Sequence, residues 1–163
     1  MLILKWLLIG VAVLLSAALG AGRLGLLHGS RPQDLGVRAG RLKPPAMTSN
    51  SVSSQAALYP GQPRHTEAQI APLRYSDGPD AAMARLRALV EASRGARVEK
   101  AGPDYLYATF TTPLMGFVDD VEFWLDPAGG VIQLRSASRL GQRDLGANRA
   151  RIETLRSVFE HAP

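Results

Sequence analysis

The chain's 163 residues suffice for one domain with a real core plus an appendage, and leave no room for two domains. It contains no cysteine, which excludes a disulfide framework and a thiolate metal site. The net charge of +5 is uneven: residues 1–64 carry seven basic side chains against Asp34 alone, a net +6, and the remainder sums to −1, so the basic character belongs to leader and linker and argues against a nucleic-acid-binding fold.

Trp6 to Gly22, WLLIGVAVLLSAALGAG, is uncharged. With Leu2 to Leu4 it approaches the ~20 residues that span a hydrocarbon core. Residues 1–29 are therefore expected to be a membrane helix, uncleaved although Ala18-Leu19-Gly20 has the small-x-small form of a signal-peptidase site. Arg23, Arg31, Arg38, Arg41 and Lys43 follow the span, against Lys5 and the amino terminus before it, which by the positive-inside rule points the domain to the cytoplasm. The signal-peptide-like arrangement points the other way. The expectation taken is a single-pass membrane protein whose domain is translocated, the cytoplasmic side remaining open. Near the membrane, such basic residues also favour anionic headgroups by roughly 1 kcal/mol each.

Residues 30–66 turn to Pro, Gly, Ser and Arg without apolar periodicity and read as linker, with the polar string Ser49-Asn50-Ser51-Val52-Ser53-Ser54 inside it. The globular part is expected over 67–163. Asp77-Gly78-Pro79-Asp80 starts a helix whose stripe is Met83, Leu86 and Val90, and Gly95 stops it. Arg97 to Ala101 and Tyr105 to Thr112 read as strands. A last helix from about Ala147 to His161 is expected to bury Ile152, Leu155, Val158 and Phe159, with Asp144 or Asn148 as its cap. The fold class is α+β: an antiparallel sheet of about four strands with two helices on one face.

Between them lies a hairpin whose register follows from its own pattern. Asp126-Pro127 and Gly129-Gly130 form the reversal. Setting Asp126 against Val131 places Leu125 opposite Ile132, Phe123 opposite Leu134, Trp124 opposite Gln133 and Glu122 opposite Arg135, the register that keeps apolar with apolar. A one-residue slip would bury Arg135 opposite Val121. Glu122 and Arg135 are then expected to form an ion pair on the outer face, worth less than about 1 kcal/mol at a surface. Asp119 and Asp120 point to opposite faces and cannot share a proton.

The runs GFVDDVEFWLD and GVIQLRSASRLGQRDLGANRARIETLR, with LGVRAGRLKPP and SNSVSSQA upstream, resemble the bacterial and plastid family known as domain of unknown function 1499. The likeness covers most of residues 34–156. That family's upstream motif usually holds two cysteines; here Pro44 or Pro45 stands near the first and Ser51 replaces the second, so no role of that pair carries over. The resemblance implies the domain and, with the span, a bacterial inner membrane and a periplasmic domain as the expected setting; it implies no reaction.

Arg139, Asp144, Asn148 and Arg151 crowd the turn between the second hairpin strand and the last helix, where guanidinium groups and exposed amides can hold an anion. With Arg135, Ser136, Ser138, Asn50, Ser53 and Ser54 they make up the candidate binding surface. The competing reading is a polar network fastening this turn to the SNSVSS string. His28, His65 and His161 lie in leader, linker and tail with no metal-site spacing, and no nucleophile elbow, phosphate loop or dinucleotide fingerprint is present, so no cofactor is expected. Three functions follow in order: a non-catalytic membrane-tethered module docking a membrane-protein partner through this Arg-Ser-Asn surface; a carrier of a small anionic or lipidic ligand, with Tyr105, Tyr107 and Trp124 lining a cavity; and an enzyme centred on Arg139, Asp144 and Asn148.

Overall fold

The computed structural model describes Leu2 to His161. Helix α1 (Leu2–Arg23) is followed by strand β1 (Ser51–Ser53), a 3₁₀ turn at Ala56–Leu58, the one-turn helix α2 (His65–Ala68), β2 (Leu73–Arg74), α3 (Pro79–Glu91), β3 (Ala96–Ala101), β4 (Tyr105–Thr111), β5 (Val118–Asp126), β6 (Val131–Ser138) and α4 (Ala147–His161). The architecture is α+β, with six strands where about four were expected. The order is β1-β6-β5-β4-β3, all antiparallel, and β2 shares the outer edge of β6 with β1.

The β5–β6 register has Glu122 opposite Arg135 and Asp126 opposite Val131, as the alternation of apolar residues requires. Phe123, Leu125, Ile132 and Leu134 thereby face the same side as Leu106, Ala108 and Phe110 of β4. Onto this side pack Met83, Leu86 and Val90 of α3 and Ile152, Leu155 and Phe159 of α4. Helix α3 begins at Gly78 with Pro79 in its first turn and Asp80 near the free amides. Val158, expected inside, is half exposed because it falls one position off the stripe that Ile152, Leu155 and Phe159 define.

The opposite face departs most from expectation. Residues 31–46 do not behave as free linker; they lie across it as an extended cover. Leu42, with Leu35 and Val37, packs on Tyr105, Tyr107 and Trp124. The cover reverses at Arg38–Arg41, where two reciprocal backbone hydrogen bonds close a hairpin with Ala39 and Gly40 at φ of 49° and 70°. Gln55 ties it down, its side chain accepting from the Leu42 amide at 2.8 Å and donating to the Gly40 carbonyl at 3.0 Å. Glu122 and Arg135 are consequently buried, not a surface pair.

Candidate functional site

The candidate residues fall into two polar clusters, back to back across the hairpin. Strand alternation divides them: Asp119, Ser136 and Ser138 point to the helix face, and Asp120, Glu122, Arg135 and Arg139 to the covered face.

On the helix face Asn148, wholly buried, is the hub. Its amide group donates to the Asn50 carbonyl at 3.1 Å, to Ser138 Oγ at 2.9 Å and to Asp144 Oδ2 at 2.9 Å. Its Oδ1 accepts from Ser136 Oγ and, at 2.9 Å, from Arg151. Arg151 also pairs with Asp119 and lies over the Phe110 ring, 4.8 Å from its centroid. Asn50 reaches back to the Gly141 carbonyl at 2.7 Å. Asp144 accepts from the amides of Gly146 and Asn148 at 3.0 and 2.9 Å, which caps α4. Burial pushes its carboxyl upward, but the hydrogen bonds from Asn148 and Gly146 outweigh it and hold the pKa below its ordinary value.

On the covered face Arg139 grips Asp120 through two bonds, Nε to Oδ2 at 2.9 Å and Nη2 to Oδ1 at 2.8 Å. The Tyr107 hydroxyl donates to Asp120 at 2.6 Å, and burial, with that bond second, raises its pKa to about 12. Glu122 Oε1 accepts from Tyr105 and from the Gly36 amide, both at 2.7 Å. Arg135 sends Nε to the Pro44 carbonyl at 3.0 Å, while its Nη1 and Glu122 Oε2 are 3.8 Å apart and both lack hydrogen bonds. Burial lowers the Arg135 pKa against the opposing pull of Glu122.

Ser53 Oγ accepts from the Gln55 amide, and Ser54 Oγ bonds Gln133 and the Leu134 amide of β6, so Ser53 braces the turn after β1 and Ser54 ties that turn to the sheet. The structure thus brings Asn50, Ser136, Ser138, Asp144, Asn148 and Arg151 together and sets Arg135 and Arg139 apart from them. Sequence reasoning missed Asp120 and Tyr107 as partners of Arg139, and Tyr105 as the partner of Glu122. The β4–β5 register, which aligns those tyrosines diagonally to the carboxylates, was their only signal, and the loop between the strands does not specify it. Among the described residues no group of three His, Asp or Glu could hold a metal ion.

At the α1 end of the sheet the surface changes character. Phe117, Leu140 and Leu145 flank a hollow of about 240 Å³ that Asp119, Ser138 and Asp144 also line. Leu114 and Leu145 stand out into solvent there, 73% and 97% exposed. Helix α1 is seated at the same end: Gly22 is buried, and a Cβ on it would lie 2.5 Å from the Met115 carbonyl oxygen.

Residues 41–159 match a family described as "Protein of unknown function (DUF1499)". The chain belongs to the DUF1499 family. The matched region begins at Arg41, so it takes in the second half of the cover as well as the sheet and α4, and it excludes α1. No curated protein matches the chain.

Proposed function

We propose that this DUF1499 chain is a single-pass, membrane-anchored binding module without catalytic chemistry of its own, which docks a neighbouring membrane protein through the free flank of α1. The joint between span and domain carries this reading. Helix α1 is long and apolar enough to cross a membrane, and residues 2–17 are exposed along their whole length, yet its last turn is fixed against the Met115–Gly116 backbone. A tether that only limits diffusion needs no fixed seat; a fixed seat sets the side that the domain presents to a neighbour in the bilayer.

The polar clusters support a non-catalytic role. Arg139 belongs to the covered face and Asn148 to the helix face, so the three residues an enzyme would use do not converge. The carrier reading loses its original location, because the hydroxyls of Tyr105 and Tyr107 are tied to Glu122 and Asp120 and Leu42 fills the space over the rings.

We read the domain as periplasmic. Arg38, Arg41 and Lys43 belong to the folded cover, and folded domains translocate largely regardless of charge. Arg31 belongs to the cover as well, over the Tyr107 ring, so Arg23 is then the juxtamembrane charge to set against Lys5 and the amino terminus.

Photoreactive residues scanned through positions 7–15 of the full chain in its native membrane test the docking. Discrete protein adducts recurring every three to four positions are expected; adducts at every position, or to lipid alone, would end the proposal. An alkaline phosphatase fusion after residue 163 should be active if the side is right.

A further inference from the structure

We infer that the α1 end of the domain is a bilayer-seating face: leucines around the joint enter the lipid interface, so the domain rests on the membrane surface instead of hanging from it. This rests on α1 being a span.

Position comes first. The exposed length of α1 projects from the domain, Gly22 meets Met115, and a side chain at Gly29 would collide with Arg139 and Leu140. Gly29 lies six positions after Arg23, which by chain length alone confines the two to within about 20 Å. Whatever surface surrounds Leu140 is thereby held next to the point where the span leaves the bilayer.

Composition is the second observation. Single exposed apolar residues are ordinary, but a cluster at one end calls for a partner. Leu24 and Leu26 in the joint, Leu114 in the β4–β5 loop, and Leu140 and Leu145 in the β6–α4 turn are all exposed. Arg23 and Arg143 flank them with positive charge, suited to anionic headgroups. The two acids that line the hollow are both occupied, Asp144 by the amides of Gly146 and Asn148 and Asp119 by Arg151. The 240 Å³ hollow beside Leu145 is below the size of a pocket for a whole ligand and suits the end of one acyl chain.

The third observation is Leu145 itself. Its φ is +53°, a left-handed conformation that favours Gly, Asn and Asp, and it is 97% exposed. Strain of this kind persists where surroundings outside the local chain reward it. Within the domain this side chain touches almost nothing, so the packing of the fold gives no reason for a leucine there. The occupant is the phospholipid surface, because the chain's own span delivers that surface to this end of the fold.

The absence of native cysteine makes the test direct. Full-length Leu145→Cys, Leu114→Cys, Ala128→Cys and Val11→Cys variants, each carrying one polarity-sensitive fluorophore, would be placed in nanodiscs of phosphatidylcholine and phosphatidylglycerol, one copy per disc. Ala128 is exposed in the β5–β6 turn, and the nine residues of β5 put it about 27 Å from the rim. Quenching by aqueous iodide and by a nitroxide high on the lipid chain is then read. Labels at 145 and 114 are expected to be quenched by the lipid nitroxide and to show iodide constants several-fold below that of 128. Iodide access at 145 and 114 equal to 128, with 11 in hydrocarbon, overturns the seating and leaves the anchor standing. Protection from iodide without lipid quenching means a protein covers the rim, which also overturns it. Water access at 11 removes the anchor and the seating together.

Discussion

Glu122 and Arg135 stand directly opposite each other on β5 and β6, yet their nearest charged atoms are 3.8 Å apart and neither atom makes a hydrogen bond. Each is drawn elsewhere, Glu122 toward Tyr105 and the Gly36 amide and Arg135 toward the Pro44 carbonyl. Both pin the cover to the sheet more than they bind each other.

Removing one partner should therefore hurt more than removing both. Arg135→Met leaves a buried carboxylate uncompensated and is expected to cost about 3–5 kcal/mol, whereas adding Glu122→Gln, which keeps an acceptor for Tyr105, should recover the part due to the unpaired charge and not the part due to the lost Pro44 bond. Thermal melts of the full chain in detergent, analysed as a double-mutant cycle, decide it. Additive losses would mean that the two charges do not interact.

Asp144 gives a pH dependence with a defined sign. Its folded pKa lies below the ordinary aspartate value of about 3.9, so its contribution is fully present above that value and disappears as pH falls through the folded pKa. Asp144→Ala should cost about 1 kcal/mol near neutrality, as for loss of a helix cap, and the difference from the parent chain should shrink steadily from pH 5 toward pH 2. A difference that does not change with pH would show that the carboxylate's charge plays no part in the cap.

These two clusters also mark how far the sequence was legible. The hairpin register was readable because one alignment alone pairs Leu125 with Ile132 and Phe123 with Leu134. The cover was not, because Leu35, Val37 and Leu42 sit among Pro, Gly and Arg with no period. Its order comes from bonds such as Gly36 to Glu122 and Arg135 to Pro44, which span 86 and 91 residues of chain. With the cover unseen, Glu122 and Arg135 looked exposed. The turn around Asp144 and Asn148 was legible in its polar density, while its partner at Asn50 was suggested only by composition.

Gly22 and Gly116 form a contact that neither tolerates a side chain. Gly116 has φ of +65°, and a Cβ on it would lie 2.7 Å from the Gly22 carbonyl oxygen. Gly22→Ala should leave α1 intact, since alanine is the better helix former, and push the domain off its seat. Nitroxide labels at Ala17 and Ala128 are expected to give a narrow distance distribution in the parent chain and a broad one in this variant. Equal widths would show that the joint does not set the domain's orientation.

Leu145 sets local stability against membrane seating. Asparagine tolerates the left-handed backbone better than leucine, so Leu145→Asn should relieve about 1 kcal/mol of strain. For a chain of this size that corresponds to a rise of roughly 2–4 °C in the melting midpoint. The same change deletes the most exposed apolar side chain of the rim, so iodide access to a label at position 114 should increase in nanodiscs. The two signs separate the explanations for a leucine here. A lower melting midpoint would mean that the side chain supports the fold, and unchanged iodide access would mean that it does not touch the lipid. A higher midpoint together with a looser seat is the combination expected of a residue retained for contact with the bilayer at a cost in stability.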